Sequence, residues 1–521
     1  MEYEIVIFWF VVLSCVSGLL AVVIRLRSPF SDWTVLYVGI LAVSMIGRFW
    51  PKTRFIDVAF GLWLLLVLLP ALLSRVYYQA LLQQRYSKAE RVARVIGWLH
   101  PIGVWKQQAK IARAFRLAQQ GDLRTATETL SQFGGTDSLV GLVAITNLYR
   151  ITNQWEQLLE WQDRHHLRLE RYPQLLPVLL RAQAETGDLH GMVELYERNQ
   201  REITRLVPPA SRDLCRLVLF AFCGERELVE RLFSGNLSLL PQEIREFWIA
   251  TAEWSAGLVE SAKRRLEQLL PAGDALVRFA VERRLSQIST PFQPPEAFAR
   301  RVIAEAVREH GHDESYGADA SFFSKRARAT QLLVALNLLM FGVEMYFGSS
   351  TSPNTLFRLG ALFAPAVKEG QWWRLITSLF LHLGSLHLAM NMFALWLLGP
   401  FTEFALGFWR YLVVYLLAGV GSMGAVILFA SRHQSEQLTL GASGCVMGLV
   451  GATGALMLRG WFREKATSAR RRLISMVVIV VTQTTFDLLI PQVSMTAHLS
   501  GAVIGFAATM IFRDRLGSGT D

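Results

Sequence analysis

Runs of apolar residues long enough to cross a lipid bilayer recur along this sequence and constrain its fold more than any other feature. A bilayer core about 30 Å thick needs roughly 20 apolar residues of helix, and in lipid only helices and closed barrels satisfy every backbone polar group. We predict three spans near the N terminus and six in the last third. The N-terminal runs are 5–24, 33–47 and 55–73, and the later runs are 330–347, 373–398, 404–430, 442–458, 473–490 and 497–512.

Basic residues beside these runs indicate how the chain is oriented. The net charge of +11 comes from Lys and Arg that flank the apolar runs, as loops on the cytoplasmic side require. If the six later spans alternate, the basic groups at 325–328, 459–472 and 513–515 all fall on one side. The region between the two sets of spans is then cytoplasmic, although Arg48, Lys52 and Arg54 would face outward. No zinc-finger or RNA-binding pattern accompanies this charge, so we expect no nucleic-acid partner.

The region 75–290 is amphipathic and helical, and it contains a loosely repeated pattern. Gly121-Asp122 and Gly187-Asp188 each separate two helical segments, and the stretch around Gly257 is a less faithful copy. Glycine ends one helix and aspartate caps the next, which predicts a tight helix-turn-helix. The pattern resembles degenerate tetratricopeptide (TPR) repeats, while an ordinary helical bundle is the alternative. We predict five regions: 1–74 with N-terminal spans, 75–290 as this helical domain, 291–329 as a linker, 330–513 as the membrane core, and 514–521 as a tail.

A serine and a histidine open two of the later runs. Ser443 opens the fourth and His498 the sixth, and the span count places both just below the same membrane face. An ionisable group inside lipid costs roughly 2.5 kcal/mol or more, so such groups usually mark function. We predict that Ser443 is a nucleophile and His498 its general base. Small residues beside both positions let two helices approach closely, and they are Gly441, Gly444, Gly501 and Gly505.

His387 and Asn391 lie four residues apart in the second later run, so they share one helix face. Both side chains can donate hydrogen bonds, which suits an oxyanion hole completed by the backbone N–H of Ser443. Loss of one such donor typically costs about 3 kcal/mol in the transition state. A polar clasp between helices would use the same two side chains, so the sequence leaves both roles open.

Together these motifs resemble the rhomboid family of intramembrane serine proteases, over residues 331–512. The residues that carry the resemblance are Trp373-Arg374, His387, Asn391, Gly441-Ala442-Ser443-Gly444, Phe486-Asp487-Leu488, Ala497-His498, Gly501 and Gly505. The resemblance implies an all-α membrane protein with a six-helix rhomboid-like core. It also implies a catalytic dyad of Ser443 and His498, with oxyanion donors from Asn391, His387 and the Ser443 amide. Trp373-Arg374 would belong to a loop half-immersed in the outer leaflet.

Asp487, near the end of the fifth later run, is a candidate third member of the catalytic group. An ionised carboxylate beside the serine and histidine would be costly in lipid. We therefore expect packing to orient His498, and Asp487 to have a structural or gating role.

The sequence thus predicts an intramembrane serine endopeptidase that cleaves transmembrane segments of other proteins, without a metal or another cofactor. Its expected partners are transmembrane substrates, membrane lipid and a protein bound by the helical domain. The alternative is a catalytically silent rhomboid-like scaffold that binds membrane helices, although silent relatives usually lose the serine or the histidine. A transporter fits less well, because the six core runs show no internal duplication. We expect a bacterial inner membrane, with the helical domain in the cytoplasm.

Overall fold

The computed structural model describes residues 2–26, 32–50, 54–100, 103–133, 138–165, 171–271, 273–288, 297–317, 327–429, 437–490 and 494–516. Within these ranges the regular structure is helical, apart from one isolated antiparallel bridge between Leu362 and Thr439. The chain forms two compact units by its internal contacts, Ser14–His310 and Met1–Leu13 with Gly311–Asp521. These limits differ from the predicted boundaries at 74, 290 and 329, which stay predictions.

The helices up to residue 317 include three apolar helices near the N terminus and a series of shorter ones. They are α1 Glu2–Leu26, α2 Asp32–Phe49, α3 Phe55–Leu82, α4 Tyr86–Leu99, α5 Trp105–Gln119, α6 Leu123–Ser131, α7 Leu139–Ile151, α8 Trp155–Arg164, α9 Leu176–Glu185, α10 Leu189–Arg198, α11 Gln200–Arg205, α12 Pro209–Phe222, α13 Arg226–Ser234, α14 Gln242–Ser255, α15 Val259–Leu269, α16 Ala275–Gln287 and α17 Ala297–Gly317. A π-helical turn, Leu64–Leu68, lies within α3.

The remaining helices form the membrane core and the loop that precedes its second long helix. They are α18 Arg328–Tyr346, α19 Pro353–Leu359, α20 Ala364–Lys368, α21 Arg374–Thr377, α22 Gly384–Leu406, α23 Phe408–Phe429, α24 Ser443–Glu464, α25 Thr467–Leu489 and α26 Met495–Ile511.

Six helices among the described residues are long and apolar enough to cross a membrane: α3, α18, α22, α23, α24 and α25. The prediction of an all-helical, multiply spanning protein is therefore confirmed. Helix α26 has 17 residues and is shorter than these, as are the apolar parts of α1 and α2. That these three helices also span stays a prediction.

Two predicted spans begin at the wrong residue. The second later span was placed from 373, but α22 starts at Gly384, after the short helix α21 and a 3-10 turn at Ser378–Phe380. Hydropathy cannot distinguish these apolar short turns from a span. The third was placed from 404, but α22 continues to Leu406 and α23 starts at Phe408. Gly407, with φ +81°, separates them, because an L side chain rarely adopts that conformation.

The start of α18 is fixed by a carboxylate from another helix. Glu403 of α22 accepts hydrogen bonds from the backbone N–H groups of Ala329 and Thr330, both at 2.8 Å, and from Thr330 Oγ1 at 2.8 Å. The first N–H groups of a helix have no partner within it, and a negative charge there also favours the helix dipole. Glu403 thereby joins the first and second long helices of the core.

The turns of the helical domain have the geometry that their sequence predicts. Gly121 and Gly187 have φ of +92° and +88°. The side chain of Asp122 then accepts from Thr125 N at 3.1 Å, and that of Asp188 accepts from Gly191 N at 2.8 Å. Each turn thus ends one helix and caps the next. The classification as TPR-like repeats stays a prediction.

Buried ion pairs connect distant helices of this domain. Arg284 of α16 donates to Glu185 of α9 at 2.9 Å, and both side chains are almost completely buried. Asp213 of α12 accepts from Arg216 at 2.7 Å and lies 3.4 Å from His310 Nδ1. Burial alone would raise the pKa of Asp213, but the hydrogen bond from His310 and the charge of Arg216 outweigh it and lower this pKa to about 2. The carboxylate therefore stabilises the folded domain at neutral pH.

The predicted linker 291–329 contains the 21-residue helix α17. Ala299, Val302, Ile303 and Ala306 of this helix are buried in the core of the unit Ser14–His310. Their spacing of three and four residues places them on one helix face, a signal that the polar composition of the segment obscured. Residues 291–296 and 318–326 of the linker, which include Lys325 and Arg326, lie outside the described residues, as do 517–521 of the tail.

Candidate active site

Ser443 is the first residue of α24, and the loop before it is held tightly. Gly441 has φ +123°, and its N–H donates to Ser378 O at 2.9 Å. Two residues earlier, Thr439 exchanges both backbone hydrogen bonds with Leu362, at 2.9 and 3.0 Å. The position of Ser443 leaves its backbone N–H free of the helical ladder and at the positive end of the helix dipole. That N–H is therefore suited to bind a developing oxyanion.

His498 is held by a carboxylate. Its Nδ1 lies 2.8 and 3.0 Å from the two carboxylate oxygens of Asp487, whose side chain is 1% exposed. Gln483, one turn before Asp487 on α25, donates its amide to Asp487 Oδ1 at 2.8 Å. The expectation that packing alone orients His498 is wrong. Because Asp487 accepts from Nδ1–H, Nε2 is the ring nitrogen with a free lone pair, and it can act as a base.

The helices that carry Ser443 and His498 touch through their backbones. A Cβ added to Gly501 of α26 would lie 2.3 Å from Gly444 O, and one added to Gly505 would lie 2.0 Å from Gly448 O. A Cβ on Gly444 would lie 3.6 Å from Ala497 O, the residue before His498. These contacts form a glycine seam, defined as Gly444, Gly448, Gly501 and Gly505. The seam brings Ser443 and His498 to the same level on adjacent helices. The hydrogen bonds found among the described residues do not include one between these two side chains.

His387 lies against the glycine loop. A Cβ on Gly441 would be 2.7 Å from His387 Cε1, 3.0 Å from His387 Nε2 and 3.8 Å from Ser443 Oγ. Any side chain at Gly441 would therefore displace the imidazole from the serine. Leu383 N donates to His387 Nδ1 at 3.3 Å, which makes Nδ1 an acceptor and places the ring proton on Nε2. His387 thus presents a donor beside Ser443.

Asn391 is buried one turn after His387. Its amide donates to His387 O at 3.1 Å, within the same helix. An amide group has two N–H donors, so one donor remains for a substrate. This bond lies within α22 and is not the alternative clasp between helices, and oxyanion binding by Asn391 stays a prediction.

Trp373 and Arg374 lie in the loop before α22 and are not part of the Ser443–His498 group. The guanidinium of Arg374 donates to Phe357 O at 2.8 Å, Ala361 O at 2.9 Å and the side chain of Gln371 at 2.6 Å. It also lies 4.7 Å from the ring centroid of Trp373. Arg374 therefore holds the loop together, while Trp373 remains 48% exposed.

The sequence reasoning missed Gln483 and the contact of Asp487 with His498. The only available signal was the pair of polar residues four positions apart on α25, because positions i and i+4 share a helix face. Another unpredicted contact connects Glu344 of α18 to the backbone N–H of His382 at 2.9 Å. His382 is completely buried and precedes α22, so this bond fixes the entry to the helix that carries His387.

Comparisons with known proteins match the part of the chain that contains these residues. A family model described as Rhomboid domain matches residues 369–515, which contain all of the residues above except those at 344–362. The putative rhomboid protease YdcA of Bacillus subtilis (strain 168) is 31% identical over 147 residues, 28% of this chain and 69% of that protein. The chain belongs to the rhomboid family. As a rhomboid with several apolar helices it is an integral, multi-pass membrane protein, and this relationship supports an intramembrane protease or a rhomboid-like protein.

Two other relatives match a smaller part of their own length. Rhomboid protease GluP of Bacillus subtilis (strain 168) is 32% identical over 224 residues, 43% of this chain and 42% of that protein. RHOMBOID-like protein 5 of Arabidopsis thaliana is 36% identical over 154 residues, 29% of this chain and 48% of that protein. The chain thus spans less than half the length of these two relatives. The rhomboid match leaves the character of the helical domain as a prediction.

Proposed function

We propose that this chain is an intramembrane serine endopeptidase that cleaves transmembrane segments of other proteins. The observation that carries this proposal is the placement of Ser443 at a helix N terminus, beside a histidine whose Nδ1 is held by a carboxylate. A nucleophile needs a base within reach and a group that fixes the base. The glycine contacts between α24 and α26 bring the two helices close together, and Asp487 fixes the orientation of the His498 imidazole.

In the proposed reaction, Ser443 Oγ attacks the scissile carbonyl while His498 Nε2 takes the hydroxyl proton. The carbonyl oxygen becomes an oxyanion, which accepts hydrogen bonds from the Ser443 N–H, His387 Nε2–H and the amide of Asn391. His498 then gives its proton to the leaving amine as the peptide bond breaks, leaving an acyl ester on Ser443. Water, deprotonated by His498, hydrolyses that ester and restores the serine. Asp487 stabilises the imidazolium in both steps.

The substrate must expose its scissile carbonyl, which a transmembrane helix does only where it unwinds. We therefore expect cleavage near Gly, Pro or small residues at one end of a substrate helix. The membrane would be a bacterial inner membrane, with the helical domain in the cytoplasm on the side of the basic loops. There the domain would bind a partner protein or the tail of a substrate.

The test is cleavage of a single-span substrate by the full chain in liposomes, compared with Ser443→Ala and His498→Ala. The parent should cut, and each variant should lose activity by at least 10³-fold while it still binds the substrate. A fluorophosphonate should label the parent on Ser443 and should not label Ser443→Ala. If the parent binds transmembrane helices without cutting them or reacting with the label, the chain is a scaffold and the protease proposal is wrong.

A further inference from the structure

Helix α3 carries a proline whose missing hydrogen bond is supplied from outside the helix. Pro70 has no N–H, so it cannot donate to the carbonyl of Leu66 one turn before it. His100, just after α4, places its Nε2 2.8 Å from Leu66 O. Since a carbonyl only accepts, Nε2 is the donor. His100 is 1% exposed, and its ring also packs on Trp33 of α2, with 4.6 Å between ring centroids.

This contact shows at what depth in the membrane α4 ends. Helix α3 has 28 residues and is about 42 Å long, longer than the roughly 30 Å hydrocarbon core. The apolar stretch between Arg54 and Arg75, about 30 Å of helix, matches that core, with only Asp57 near its outer end. Helix α3 beyond Arg75 therefore extends out of the lipid. Pro70 and Leu66 lie five and nine residues on the lipid side of Arg75, about 8 and 14 Å of helix, so the end of α4 reaches below the headgroups.

Helix α4 folds back along the protruding end of α3. Ala89 and Ala93 of α4 share a buried cluster with Tyr77 and Ala80 of α3. Trp98, two residues before His100, consequently lies at the depth of Leu66–Pro70. At that depth its ring lies below the headgroups, beside the acyl chains.

The outer face of α4 has the composition of an interfacial helix. Lys88, Arg91, Val95 and Trp98 are exposed and recur at intervals of three and four residues, so they form one stripe. Trp98 is 80% exposed and Val95 is 50% exposed, at the end of α4 nearest the lipid. Lys88 and Arg91 lie toward the other end, and the exposed Arg94 beside Val95 is paired with Glu90 at 3.2 Å. Val104, at the start of α5, is 49% exposed and continues the apolar part.

We propose that the hairpin tip, defined as Val95, Trp98 and Val104, inserts into the leaflet on the helical domain's side. Lys88 and Arg91 then contact the phosphates of anionic lipids. The occupant is lipid because the tip is continuous with a membrane-spanning helix, and because the order of apolar and basic residues along α4 matches the order of acyl chain and headgroup. This surface anchors the helical domain against the membrane and is independent of the serine chemistry.

The test uses the full chain in nanodiscs with an environment-sensitive fluorophore on Trp98→Cys. The described part of the chain has four buried cysteines: Cys15, Cys215, Cys223 and Cys445. The protein without an added cysteine therefore measures the background labelling. Val95→Cys is a second tip position, which keeps the test valid if Trp98→Cys folds poorly. The matched control is Leu258→Cys, 52% exposed in the α14–α15 turn of the same domain.

The tip probes should emit at shorter wavelength than the probe at 258. Nitroxide-labelled acyl chains should quench them at least threefold more strongly, and iodide in water should quench them less. The lipid quenching at the tip should fall in bilayers without anionic lipid and in a Lys88→Glu, Arg91→Glu background. Tip probes that iodide quenches freely would place this surface in water and overturn the proposal. Probes shielded from both quenchers would show that protein covers the tip, which also overturns it.

Discussion

Replacement of Asp487 tests whether the carboxylate on His498 contributes to catalysis or only to packing. In the Asp487→Ala variant, His498 Nδ1 loses two contacts, at 2.8 and 3.0 Å, with a group that is 1% exposed. Hydrogen bonds to a charged partner contribute about 1.5–3 kcal/mol. At 1.36 kcal/mol per tenfold change in rate, we expect kcat to fall by about 10- to 150-fold.

The Asp487→Asn variant separates the two roles. An amide keeps the shape of the carboxylate but can donate its N–H to His498 Nδ1, which moves the ring proton to Nε2 and leaves no lone pair for the proton of Ser443. In soluble Ser-His-Asp proteases this change lowers kcat about 10⁴-fold. We therefore expect Asn to be more damaging than Ala, whereas a purely structural aspartate would tolerate Asn better.

The assay is single-turnover cleavage of a single-span substrate in liposomes, with the rate of fluorophosphonate labelling as a second readout. Gln483→Ala is the matched control, because it removes the amide that donates to Asp487 Oδ1 at 2.8 Å and leaves the carboxylate in place. We expect this control to lose less activity than either change at Asp487. Thermal melting of all three variants checks folding. Rates within twofold of the parent for both Asp487 variants, or a milder effect of Asn than of Ala, would refute the reasoning.

Three further predictions follow from contacts described above. Gly505→Ala should destabilise the core by about 1–3 kcal/mol, because its Cβ would lie 2.0 Å from Gly448 O. Gly424→Ala is the control: a Cβ there would have no atom within 4 Å, so the melting temperature should stay unchanged or rise. The pKa of Asp213 is lowered to about 2 in the folded domain, so its stabilisation is present above about pH 4 and is lost as pH falls toward 2. Between pH 5 and pH 3 the free energy of unfolding, measured by chemical denaturation, should fall by about 1 kcal/mol less in Asp213→Asn than in the parent. His387→Ala should lower kcat about 10²- to 10³-fold with little change in KM, and an unchanged kcat would exclude it from the oxyanion site.

The sequence predicted the helical class, most spans and the close approach of the helices that carry Ser443 and His498, because each rests on a local pattern. Apolar runs identify helices that cross lipid, and glycines four residues apart identify faces that approach closely. The boundary at 373 failed since a loop made of short apolar turns has the same hydropathy as a span. The start of α22 at Gly384 depends on backbone contacts, such as that of Glu344 with His382 N, which hydropathy does not report.

The contact of Asp487 with His498 was missed for a different reason. A lone ionised carboxylate in lipid does carry a desolvation cost. The sequence argument assigned this cost to Asp487 without considering the side chains that could bind it. Gln483 is four residues away on α25, but His498 is 11 residues away on α26, so its contact with Asp487 depends on how α25 and α26 pack. A single sequence contains no direct signal for that packing.

The backbone seam between α24 and α26 has a consequence for how a substrate reaches the serine. Main-chain atoms already meet along Gly444, Gly448, Gly501 and Gly505, so no side chain there can rotate away to open a gap. Separating the two helices would also pull His498 from Ser443. Under the proposed function, a transmembrane substrate therefore approaches from another side of the core, and the border formed by α24 and α26 stays closed beside the nucleophile.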